Sequence, residues 1–120
     1  MSYSARCYGI FAGLSGFVGV VLGAAAAHKA VDTYAADLLR QASLYQLIHS
    51  VMLFMICERA GLAARIARPF FAVGTILFCG GLAAKAMTGI ASASHVVPFG
   101  GGCLMLGWIA TAAIFLRRQN

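Results

Sequence analysis

With 120 residues, nine Lys+Arg against three Asp+Glu and a formal charge of +6, the chain is 62% hydrophobic and only 10% charged. A soluble domain of this size does not carry that composition, and a mean hydropathy of +0.88 places the chain in the membrane class. The pI of about 9.6 does not signal nucleic acid, because the basic residues sit at the ends of apolar runs and not on a soluble face.

Four apolar runs, residues 7–27, 42–57, 69–84 and 96–116, hold no formally charged side chain. A helix needs about 20 apolar residues to cross a hydrocarbon core of about 30 Å, and fewer where flanking groups snorkel. The outer two runs meet that length and the middle two fall slightly short. The expected architecture is an all-α, four-span membrane helix bundle that uses the whole chain as one domain. Arg6, the apolar stretch and Ala24–Ala26 imitate a signal peptide, but the run is longer than a signal core, so cleavage is not expected.

Run one carries Gly9, Gly13, Gly16, Gly19 and Gly23, which fall within about 120° of arc at about 100° per residue. Lipid gives helices no hydrophobic reason to associate, so close approach over small residues has to do it. Another helix is expected against this stripe, from the same chain or from a partner. Residues 31–41 follow, with Asp32 as an N-cap and Tyr34, Leu38 and Leu39 among polar positions, which reads as a short interfacial helix. Residues 58–68 read as a short basic loop, with Pro69 in the first turn of the third helix. Pro98 and Gly100–Gly102 predict a weak or tightly packed start to the fourth.

Arg6, Arg59, Arg65, Arg68, Arg117 and Arg118 lie on one side of this topology, against Lys29, Arg40 and Lys85 on the other. The excess of basic residues puts both termini in the cytoplasm and the protein in the cell inner (plasma) membrane. Cys7, Cys57, Cys79 and Cys103 fall one per span without CxxC spacing and read as small apolar residues.

Ionisable groups within spans are costly and are functional candidates by default. His28, Tyr45, Gln46, His49, Lys85 and His95 gather in the outer half, and Tyr45, Gln46, His49 and Ser50 read as one face of the second helix. Three readings compete for this cluster. The first is an interhelical hydrogen-bond network. The second is a site for a quinone or lipid-like molecule held by His49 and Tyr45. The third is a metal site from the three histidines, with Met52 or Met55 as soft ligands. Trp108 sits near the middle of the fourth span, either packed in the bundle or presented to another protein. Paired carboxylates, GxSxG, the P-loop and HExxH are all missing, so no enzymatic activity, cofactor or resident metal is expected.

Four stretches together carry a resemblance: Gly23-Ala24-Ala25-Ala26-Ala27-His28, Tyr45-Gln46-Leu47-Ile48-His49, Gly74 through Gly80, and Pro98-Phe99-Gly100-Gly101 through Gly107-Trp108. The chain resembles the domain of unknown function 423 family, the YgdD-like proteins that include transmembrane protein 256 of animals. The resemblance spans essentially the whole sequence and implies a small four-span membrane protein without an established activity. It departs from the family pattern at Ala26, where a glycine is usual, and at Cys79, where a serine is usual.

The function expected from these readings is non-catalytic. It is a structural or accessory subunit packing against a larger membrane complex, of the respiratory or energy-converting kind, or against copies of itself. The interface residues would be the first-span glycines with Gly100, Gly101, Gly107 and Trp108, and membrane lipids would surround the rest. The alternative is a binder or transporter of a quinone, lipid or metal around His49.

Overall fold

The computed structural model describes residues 1–116, which leaves Arg117 and Arg118 of the basic count outside the described residues. Four α-helices and one short 3-10 turn make up the fold: α1 Tyr3–His28, α2 Thr33–Ile56, α3 Leu62–Thr88, the turn Ala91–Ser94, and α4 Val97–Leu116. Each start has a local cause. The Ser2 hydroxyl accepts from the Ala5 N–H at 3.1 Å, and the Asp32 carboxylate accepts from the Ala35 N–H at 2.7 Å. Gly61 enters α3 at φ +102°, and Gly89 ends it in the left-handed region at φ +70°, conformations that side chains disfavour. The Gly89 N–H closes that last turn on the Lys85 carbonyl at 2.8 Å.

Two boundaries differ from those expected. Residues 31–41 do not form a separate interfacial helix. Asp32 caps as anticipated, but from Thr33 the chain runs straight into the second apolar run as one helix of 24 residues. Asp37, Arg40 and Gln41 interrupt the hydropathy without interrupting the backbone, and Arg40 pairs with Asp37 at 2.9 Å along the helix surface. Likewise Pro69 is not in the first turn of α3, which begins at Leu62 and carries Pro69 inside it. The helix continues there without one ladder bond, because proline has no N–H to offer the Arg65 carbonyl. Pro98 is the second residue of α4, where an N–H is not needed, and the helix runs unbroken through Gly100–Gly102.

The short connections make consecutive helices antiparallel. Helix α1 packs on α2, α2 on α3 and α3 on α4, with a slight touch of α1 on α3; α4 packs extensively on α3 alone. The interior has an apolar cluster toward each end, one around Leu39, Cys79 and Leu82, the other around Leu53, Phe71 and Leu104. Between them Ser15, Ser43, Gln46, His49, Ser50 and Thr75 are buried. The outside is apolar: Phe17 of α1, Phe54 of α2 and Ile109 of α4 are each about two-thirds exposed. Large apolar side chains bare on several helices at once make the kind of extended apolar surface that a membrane covers. Helices α1 and α3 and the stretch Ala91–Leu116 are long and apolar enough to cross a membrane. Helix α2 is more polar and buries Ser43, Gln46, His49 and Ser50.

Candidate functional site

Helix α2 turns its polar side chains inward on two neighbours, not one. Tyr45, Gln46, His49 and Ser50 cover about 140° of arc, too wide for a single contact face. Gln46 and Ser50 look toward α1. The Gln46 amide donates to the Ser15 hydroxyl at 2.8 Å, and Ser50 lies 2.8 Å from the same hydroxyl. One turn earlier the Ser43 hydroxyl donates to the Gly19 carbonyl at 2.6 Å. The glycine stripe makes this approach feasible. A Cβ added at Gly19 would sit 2.9 Å from Leu47 Cγ, and one at Gly23 would sit 3.0 Å from Ser43 Oγ. The stripe loosens along its length: Gly9 and Gly16 have 3.9 Å of room against Cys57 and Ser50, and Gly13 faces nothing within 4 Å.

Tyr45 and His49 look the other way, toward α3 and α4. The His49 Nδ1 lies 2.6 Å from the Tyr45 carbonyl, and the Trp108 indole N–H donates to His49 Nε2 at 3.0 Å. A carbonyl only accepts and an indole N–H only donates, so these two partners assign the proton to Nδ1 and leave Nε2 bare. The ring is a neutral imidazole with both nitrogens engaged. Around it the rings of Tyr45, Phe78, Phe71 and Trp108 form a connected cluster. Tyr45 and Phe78 centroids are 4.7 Å apart, and Trp108 meets Phe71 edge-on at 5.6 Å. Trp108 is 41% exposed, so its indole is bonded inward through the N–H and bare on its outward side. The predicted strength of the His49–Trp108 link is about 0.6–1.7 kcal/mol. It would be read as the coupling energy of a double-mutant cycle with His49→Phe and Trp108→Phe, from unfolding in detergent; simple additivity would show that the bond contributes nothing.

The wider outer cluster does not assemble. His28 ends α1 exposed, and His95 is exposed after the 3-10 turn. Lys85 stands 5.5 Å over the Tyr34 ring, a cation–π contact at the end of the bundle where α2 begins and away from His49. Among the described residues no three His, Cys, Asp or Glu side chains come together to hold a metal ion, so the three-histidine site is not formed. Its spacing never placed two histidines on one helix face.

The remaining glycines serve α4. A Cβ at Gly100 would run into the Phe78 main-chain nitrogen, and one at Gly107 would sit 2.9 Å from the Phe71 ring. From the other side Gly74 receives Leu104, with 2.8 Å left for a Cβ. Gly101 is looser, 3.6 Å from the Phe78 ring. Because α2 and α4 stand apart over α3, a groove of about 430 Å³ opens between Tyr45, Ile48, Met105 and Trp108.

The profile of the family described as "Protein of unknown function (DUF423)" matches residues 22–101, which include both polar faces of α2 and the close glycine contact at Gly100. The chain belongs to the DUF423 family. This DUF423 chain is 32% identical to the UPF0382 inner membrane protein YgdD of Escherichia coli K12, over 92% of each chain. It is 30% identical to a UPF0382 membrane protein of Haemophilus influenzae, over 82% of this chain and 85% of that one. No solved structure matches it. Relatives named for the inner membrane, together with three membrane-length helices, make it a multi-pass inner membrane protein. Gly107 and Trp108 lie beyond the matched segment.

Sequence reasoning missed two residues of the site. Ser15 is the hydroxyl shared by Gln46 and Ser50, and its signal was available: a lone polar residue beside Gly16 in an otherwise apolar run. Arg68 read as the last residue of a short basic loop, yet it lies inside α3 and is only 7% exposed. Its guanidinium donates to the carbonyls of Cys57 at 3.1 Å and Arg59 at 3.0 Å, beyond the end of α2.

Proposed function

We propose that this protein is a non-catalytic accessory or structural component of its membrane, with four spans and both termini cytoplasmic, packing against a larger membrane assembly or further copies of itself. The observation that carries this reading is that His49, the strongest candidate for chemistry, has both ring nitrogens engaged within the chain. Every buried side-chain nitrogen and oxygen among the described residues has a partner. Polar groups that would hold or pass a ligand are instead tying α2 to α1 and α4. The fourth span supports the reading too: it is held on one side by α3, while Trp108 and Met105 face outward across the open groove. Helix α2, though more polar than the others, presents Phe54, Val51 and Ile48 outward, which suits a fourth span. The alternative, a quinone or metal held by His49, lacks a free nitrogen for the ligand.

The test is native gel migration and mass spectrometry after gentle extraction from the protein's own membrane. Comigration with a stoichiometric set of larger subunits, or as a defined oligomer, is the expected outcome. Gly101→Leu fills the groove where a Cβ has ordinary room, and it should abolish comigration while leaving the melting temperature near that of wild type. A lone bundle of unchanged mobility in both proteins overturns the accessory reading and redirects attention to small molecules beside Tyr45.

A further inference from the structure

At the end of the bundle where α1 begins and α2 finishes, a groove of about 560 Å³ runs between the two helices. Its volume falls within the range of small-ligand sites. Its walls are apolar, with Ile10, Phe54 and Met55 each roughly two-thirds exposed. Two side chains of opposite charge line it beside Met1: Arg6 on α1 and Glu58 just past α2. They are not paired with each other, and among the described residues the ion pair is that of Arg40 with Asp37. The helix ends reinforce the same polarity. The start of α1 favours an anion and the end of α2 favours a cation. Arg68 already takes the Cys57 and Arg59 carbonyls, so the Glu58 carboxylate is the acceptor left for a cation in the groove.

We propose that this groove binds one phospholipid with a zwitterionic headgroup bearing a primary ammonium, a phosphatidylethanolamine, with its phosphate on Arg6 and its ammonium on Glu58. The charge pattern selects this occupant. An anionic headgroup without an amine satisfies Arg6 and leaves Glu58 facing a like charge. A choline headgroup supplies the charge but no N–H to donate to the carboxylate, and charge-assisted hydrogen bonds are the strong ones. One acyl chain has a track to follow. A second, shallower groove of about 230 Å³ continues along the same helix pair, shares Phe54 with the first, and includes Gly13, where an added Cβ would meet nothing within 4 Å. Arg6 and Gly13 are separated by about 10 Å along the helix at about 1.5 Å per residue, enough for the upper part of a chain.

The experiment is native mass spectrometry of the whole protein released from bilayers of equimolar phosphatidylethanolamine, phosphatidylcholine and phosphatidylglycerol with identical acyl chains. One ethanolamine lipid is expected to be retained over each of the others by about two- to fivefold, the range that an exposed ion pair supplies. Glu58→Gln should erase the preference over the choline lipid, Arg6→Gln should lower retention of all three, and Gly13→Phe should do the same by filling the track. Arg6 and Glu58 are exposed, so helicity and melting should match wild type and separate lost binding from lost fold. Equal retention of the three lipids, a preference for the glycerol lipid, or an ethanolamine preference that survives Glu58→Gln would each overturn the proposal.

Discussion

Gly100→Ala is expected to detach α4 from α3 and to be among the most damaging single-methyl additions in the protein. The new Cβ meets the main-chain nitrogen of Phe78 and the Leu77 carbonyl carbon behind it, and backbone cannot step aside as a flexible side chain can. Overpacking within a well-filled interior costs about 1–3 kcal/mol, and contact with backbone belongs at the upper end of that range. The companion variant Gly102→Ala makes the comparison decisive. An added Cβ there has nothing within 4 Å, so it should be neutral or stabilising by up to about 1 kcal/mol through helix propensity. Both are glycines of the same run, two residues and about 3 Å apart along the same helix, which removes composition and depth as explanations. Unfolding in mixed micelles, followed by helical circular dichroism, measures the difference. If the two variants unfold together, the α3–α4 crossing has room for a Cβ at Gly100 and α4 is held mainly by the Trp108–His49 bond.

The glycine-rich runs show how far sequence alone reaches. Their arc on α1 predicted a close neighbour, and α2 is within Cβ-clash distance at Gly19 and Gly23. What the arc does not encode is which helix that neighbour is, because lipid-embedded contacts need small residues on one side and almost any shape on the other. The same limit applied to α2. Its i, i+3 and i+4 spacing grouped Tyr45, Gln46, His49 and Ser50 as one face, yet a helix sandwiched between neighbours can spend one end of that arc on α1 and the other on α4. Only the placement of Ser15 and Trp108 divides it. Helix boundaries failed for a different reason. Hydropathy reports where a helix is lipid-facing, not where it starts, so Asp37 and Arg40 concealed the first two turns of α2, and Arg65 and Arg68 concealed those of α3. Asp32 was readable because a cap is a local hydrogen bond between residues three apart.

The concealment at Arg68 leads to a second large expected effect. Replacing Arg68 with methionine should destabilise the bundle by about 2–3 kcal/mol, since it removes donors from carbonyls that no N–H in α2 can reach. Arg68 gathers three backbone carbonyls: Ala64 of its own helix at 3.1 Å, then Cys57 and Arg59 where α2 gives way to the turn. It also lies 5.8 Å from the Tyr8 ring centroid, so one guanidinium touches α1, α3 and the turn that follows α2. A cation at a helix C-terminus is favoured by the macrodipole, which explains how a buried arginine stands here without a carboxylate partner among the described residues. Arg68→Lys should recover less than half of the loss, because a single ammonium cannot serve the separated carbonyls that the planar fork reaches. Hydrogen exchange separates this account from its rival. Loss of the fork should speed exchange at the amides of the last turn of α2 and of residues 57–61 before it affects the middle of the helix. A neutral Arg68→Met with unchanged exchange would mean that removing the guanidinium from water offsets all three of its bonds, as buried charges can. The residue would then act through topology, as one of the basic residues that fix orientation, and not through stability.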